Sequence, residues 1–186
     1  SKGSLRTYLI MTKTFHLPKL ILMKAKAVLS LATLLCFLFS SAEAELVISE
    51  VMARGGHGFA DEDGDHPDWI ELFNQGERPV DISGFFLSDS SDSLRRWSFP
   101  PGTTIPAGGY LVIWADKNGK PREGLHANFR LSRNGEAVFF SDEQGLLDQV
   151  EFGRQATKVS FGRSPDGTGP WRSLAPSAGL ANPRAM

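Results

Sequence analysis

Cysteine is almost missing from this chain, with only Cys36 in 186 residues. A lone cysteine forms no disulfide within its chain and no Cys-x-x-Cys motif for redox or zinc chemistry. It also lies inside an apolar run and follows Leu35, where a lipidation signal wants a small residue. Histidine is scarce too. His57, His66 and His126 have no second His or Cys at close ligand spacing, so the sequence carries no zinc motif. No Gly-x-Ser-x-Gly elbow is present to set up a serine nucleophile. Ala107-Gly108-Gly109 follows Pro106 and leads into a strand-like run, so it reads as a turn and not as a phosphate cradle. Beyond Glu45 no sustained helical period is found.

Long charge-free stretches are also rare, and the clearest one is informative. Met23-Lys24-Ala25-Lys26 supplies a basic start, Val28 to Phe39 runs without a charge, and Ser40-Ser41-Ala42-Glu43-Ala44 ends on small residues. That order predicts a secretory signal peptide over 23–44, cleaved after Ala44. Twelve residues at about 1.5 Å each reach roughly 18 Å, too short for the roughly 30 Å core of a bilayer. Residues 1–22, which include the alternative start Met11, read as an over-extended leader without a fold of their own. The chain beyond Ala44 has the size of one ordinary domain and can bury a sufficient core without a staple. A secreted or periplasmic product is expected.

Charge divides with the chain. The leader holds six of the 20 Lys and Arg and one of the 21 Asp and Glu, leaving 14 basic and 20 acidic residues beyond it. A net charge near −6 repels phosphate backbones, which disfavours nucleic acid as a partner and is compatible with cations.

The mature part is a series of short apolar or alternating runs: Leu46–Ala53, Trp69–Asn74, Phe85–Ser88, Arg96–Phe99, Tyr110–Ala115, Ala137–Ser141, Leu146–Phe152 and Val159–Arg163. Turn residues separate them, including Asn74-Gln75-Gly76, Ser83-Gly84, Asn118-Gly119 and Pro165-Asp166-Gly167. Asn134-Gly135 between Leu131 and Ala137 is the strongest hairpin signal. Eight or so short strands with such turns predict an all-β sandwich or barrel, with Trp69, Trp97 and Trp114 as candidate core anchors. From Ser173 to Met186 the chain is rich in Ala, Pro and Gly and reads as a linker or frayed end.

These runs, taken in order, resemble the bacterial lamin-tail domain family. Ile48-Ser49-Glu50-Val51-Met52-Ala53 is similar to its first strand. Asp61-Glu62-Asp63-Gly64-Asp65 with Asp68-Trp69-Ile70-Glu71-Leu72-Phe73-Asn74 is similar to its acidic loop and second strand. Asp81-Ile82-Ser83-Gly84, Trp97-Ser98-Phe99-Pro100, Ile105-Pro106-Ala107-Gly108-Gly109, Leu125-His126-Ala127-Asn128-Phe129 and Ser160-Phe161-Gly162-Arg163 continue the pattern, from about Leu46 to Asn182. The resemblance implies an immunoglobulin-like β-sandwich, residues 45–182 here with a short tail at 183–186, acting as an interaction module without catalytic residues. Exported relatives often accompany other exported domains.

Two carboxylate groupings carry candidate chemistry. Asp61, Asp63, Asp65 and Asp68 place four carboxylates in eight residues around Gly64, and a turning loop of alternate Asp side chains can offer oxygen ligands to calcium. The spacing is not that of an EF-hand, and the alternative is a solvated turn in which Asp caps backbone N–H groups. Glu50 and Glu71 each fall mid-strand among apolar neighbours. They form either a carboxylate pair of the glycosidase kind or, as the sandwich favours, a structural pair hydrogen-bonded to backbone or to an Arg. Arg95, Arg96, Arg122, Arg130 and Arg133 form the basic clusters, interleaved with Trp97 and Phe129; they read as a small nucleic-acid or polysaccharide patch or, as the acidic net charge favours, as a solvated sheet face whose Arg stems cover aromatic rings. The expectation is a non-catalytic, exported module binding protein or glycan at the envelope or beyond. The alternatives are a calcium-braced structural or adhesion module and an accessory domain of an exported hydrolase system.

Overall fold

A computed structural model describes residues 46–55, 58–118 and 123–183 of the chain. The leader 1–22 and the signal peptide 23–44 read from the sequence lie outside these residues, as do His57 and Arg122. Among the described residues the regular structure is all strand, and no helix is long and apolar enough to cross a membrane.

The strands are β1 (Leu46–Met52), β2 (Asp68–Asn74), β3 (Val80–Asp81), β4 (Phe86–Ser88), β5 (Trp97–Ser98), β6 (Thr104–Ile105), β7 (Tyr110–Ala115), β8 (Gly135–Ser141), β9 (Leu146–Gly153), β10 (Ser160–Arg163) and β11 (Trp171–Leu174). They form a five-stranded sheet in the order β11-β10-β1-β2-β7, a four-stranded sheet β5-β4-β8-β9 and a small β3-β6 pair. All pairings of these strands are antiparallel.

The two larger sheets make a sandwich because each offers an apolar face to the other. Ile48, Val51, Ile70, Leu72 and Ile113 from the first meet Leu87, Val138, Phe140, Val150 and Phe152 from the second in one core. Burying each such side chain stabilises the fold by about 1.5–3 kcal/mol. Of the three candidate anchors, Trp69 is buried and Trp97 packs against the core, whereas Trp114 is only half-buried and stands outside it.

β1 is buried along its whole length, as a central strand covered on both faces should be. Its pairing with β2 slips between Ile48 and Glu50, a bulge that changes which face the later side chains meet. Leu46 and Ile48 reach the core before the bulge; Val51 and Ala53 reach it afterwards. The backbone at Ile48 is served from other strands. Its N–H donates to Asp148 Oδ2 at 2.8 Å, and its carbonyl accepts from Arg163 Nε at 3.2 Å. Arg163 also pairs with Asp148 and lies over the Trp171 ring.

Two sequence expectations change here. Asn134-Gly135 does form a turn, with Gly135 N–H donating to Ser132 O, but Leu131 belongs to no strand. The hairpin partner of β8 is β9, reached through the turn at Asp142–Gly145. The segment after Ser173 is not a frayed end either. Leu174 completes β11, and Ser177 and Asn182 are buried. Polar side chains tie this segment down where its composition has little apolar surface to offer.

Candidate functional site

The acidic loop opens beside the end of β1. Asp61 organises it: its Oδ1 accepts the N–H groups of Asp63 (3.1 Å) and Asp65 (2.9 Å), while its own N–H donates to Asp65 O at 2.8 Å. Gly64 holds φ +82° at the bend, a region a side chain rarely adopts. Gly55 closes the base of the loop, because a Cβ there would lie 2.2 Å from His66 O and 2.5 Å from Pro67 O. Gly55 N–H donates to Asp68 Oδ1 at 3.0 Å, and burial pushes the Asp68 carboxyl above its usual range.

The opposite wall comes from the end of β7. Trp114 exchanges backbone hydrogen bonds with the passing segment, its N–H to Leu125 O and Ala127 N–H back to its own carbonyl. That short parallel bridge puts His126 beside the strand end. Asp116 comes next, with Oδ1 accepting Asn118 N–H and its carbonyl accepting Arg130 Nε at 3.1 Å. The His126 side chain is 1% exposed; its Nδ1 lies 3.0 Å from Asp116 Oδ2 and its Nε2 2.7 Å from Glu62 Oε1. Asp61, Asp116 and His126 bring one ligand atom each to within 4.8 Å of one another.

Between these walls is a cavity of about 690 Å³. Asp61, Asp65, Asp68 and Asp116 line it together with Arg130 and Arg133, and Arg54 reaches it from the chain after β1. Both charge signs therefore face one concavity, which can pair with a ligand bearing polar groups of either sign.

The four loop aspartates read from the sequence are thus divided. Asp61 caps its own loop, Asp68 accepts from Gly55, and Asp63 and Asp65 are exposed. Among the described residues the grouping with metal-ligand geometry takes Asp61 alone from the four and adds Asp116 and His126. No sequence motif joins Asp116 to His126, and the bridge from Trp114 to His126 is what brings them together. His126 reaches across to the acidic loop through its contact to Glu62. The Arg reading agrees for two of its five residues: Arg95 lies over Phe86 and Arg96 over Phe129, and Arg96 also pairs with Asp89, whereas Arg130 and Arg133 line the cavity instead.

Glu50 and Glu71 stand directly opposite each other on β1 and β2, away from this cavity. Both are fully buried, beneath the C-terminal segment. Ser177 donates its N–H and hydroxyl to Glu50, and Gly179 N–H donates to Glu71 Oε2 at 2.6 Å. Their partners are backbone and serine and not an Arg, and a carboxylate pair sealed in this way offers a sugar no access.

No curated protein matches the chain. A family model described as Lamin Tail Domain matches residues 40–154, which takes in the acidic loop, Asp116 and His126 and ends before β10. That span covers more than half of the chain and agrees with the all-β sandwich, and the chain belongs to the lamin tail domain family.

Proposed function

We propose that this domain is an exported, non-catalytic interaction module that holds a protein or glycan outside the cytoplasm. Family membership supports a non-catalytic immunoglobulin-like module. The single observation that carries the binding reading is the mixed-charge cavity between the acidic loop and the end of β7. Concave sites with a few convergent polar groups are where folded domains take ligands. Exposed Arg130 and Arg133 stand ready for carboxylate or other acidic groups of a partner, while the loop aspartates accept from hydroxyl and amide donors.

The test is capture: the purified chain is probed on a glycan array and against envelope extracts, in calcium and in chelator. Binding that is lost in Arg130→Ala/Arg133→Ala supports the cavity as the ligand site. No captured glycan or protein, or capture indifferent to both substitutions, overturns this reading. Capture that requires calcium favours the second reading, a calcium-braced adhesion module, whose support is the pair of exposed aspartates, Asp63 and Asp65, flanking the left-handed Gly64.

A further inference from the structure

We infer that Asp61, Asp116 and His126 form a site for a zinc-like divalent cation on the wall of the cavity. The chemistry of the donors selects the ion: one imidazole and two carboxylates suit zinc and its first-row neighbours, whereas calcium takes six to eight oxygens. The geometry fits as well. Two ligands of a tetrahedral zinc at 2.0–2.2 Å lie ~3.4 Å apart. His126 Nδ1 and Asp116 Oδ2 are 3.0 Å apart and need open by only some tenths of an ångström, while the Asp61 carboxylate, within 4.8 Å of both, closes by up to ~1.4 Å to complete the set.

The outer contacts point the same way. Glu62 Oε1 lies 2.7 Å from His126 Nε2, which is how a carboxylate orients a metal-bound imidazole through its second nitrogen. Gly124 keeps that contact open: it holds φ +80°, and a Cβ there would lie 3.0 Å from Glu62 Oε2 and 3.2 Å from His126 Nε2. Burial fixes the imidazole in place, with 1% of its side chain exposed. Three protein ligands leave a fourth position for water or a ligand atom, and Asp61 and Asp116 both line the cavity. The competing arrangement is a metal-free ring held by hydrogen bonding between Glu62 and Asp116.

The two arrangements separate on titration of the purified, chelator-stripped chain with zinc chloride alone, a readout independent of any cavity ligand. The expected result is one zinc per chain by calorimetry. Glu62→Gln then weakens binding ~10–100-fold, and His126→Gln weakens it further. Cobalt(II) in place of zinc gives the visible absorption of a four-coordinate site in the unaltered chain, which tests the proposal even where a variant fails to fold. No zinc uptake and no cobalt band overturn it and leave the hydrogen-bonded ring. Zinc binding that survives His126→Gln in a folded variant overturns it too, as does calcium uptake without zinc uptake, which would return the cation to the aspartate loop.

Discussion

Among the described residues, Glu71 Oε1 is a buried carboxylate oxygen with no hydrogen-bond partner, while its sister oxygen accepts from Gly179. Burial pushes the Glu71 carboxyl up to about 8, with the Glu50 and Asp166 charges adding to the effect, and burial raises Glu50 as well. A carboxyl raised in this way is protonated in the folded state at neutral pH, whereas the unfolded chain has released the proton. Its contribution to stability is therefore fully present below about pH 4.5 and is lost as pH climbs to about 8. Glu71→Gln fixes the neutral form. We expect the variant and the parent to melt together near pH 5, and the variant to melt higher at pH 9 by up to a few kcal/mol, about 5 °C or more. Equal melting temperatures at both pH values would show that Glu71 is ionised in the folded chain at neutral pH. Sequence placed this residue mid-strand and made a charge there costly, which holds; it could not show that the cost is met by a proton and a glycine N–H.

The C-terminal segment after β11 acts as a strap across the outer face of β1 and β2. Beyond its bonds to Glu50 and Glu71, Asn182 Nδ2 donates to Ser49 O, Ser49 Oγ and Arg163 O, and Asn182 N–H donates to Asp166 Oδ2. Gly162 lets the layers close, since a Cβ there would lie 3.0 Å from Asn182 Nδ2 and 3.1 Å from Glu50 Cγ. Each such hydrogen bond contributes about 1 kcal/mol, and leaving a buried partner unsatisfied costs about 1–3. Ending the chain at Leu174 should lower the melting temperature by about 10 °C or more, and Asn182→Ala should account for a part of that loss. A truncated chain that melts like the full one would make the segment an ornament after all. The strap was illegible in the sequence because Ala, Pro and Gly are also what a linker contains; its hold lies in two side chains, Ser177 and Asn182, and in backbone N–H groups. The longer strands were legible from their apolar alternation. β3 and β6 were not, because two residues carry no period and neither has the aromatic pair, Trp97 and Phe99, that marked the equally short β5; β11 escaped with its four.

At the scale of the whole molecule, the sandwich brings to one end residues that the sequence keeps far apart. Asp61 lies beyond β1, Asp116 closes β7 and His126 belongs to the segment that returns beside it, so the grouping exists only once both walls are folded. That is why the acidic loop was visible in the sequence while its partners were not. Export is read from the leader alone, with its basic start, apolar run and small-residue ending. We expect expression in a bacterial host to yield an extracytoplasmic product whose first residue is Glu45, by N-terminal sequencing and intact mass. Replacing both Ala42 and Ala44 with bulky residues should leave the leader attached, since the peptidase needs small side chains there. An unprocessed chain folded in the cytoplasm would sink the export reading. The sandwich, the cavity and the cation proposal would still stand, because each rests on residues beyond the leader.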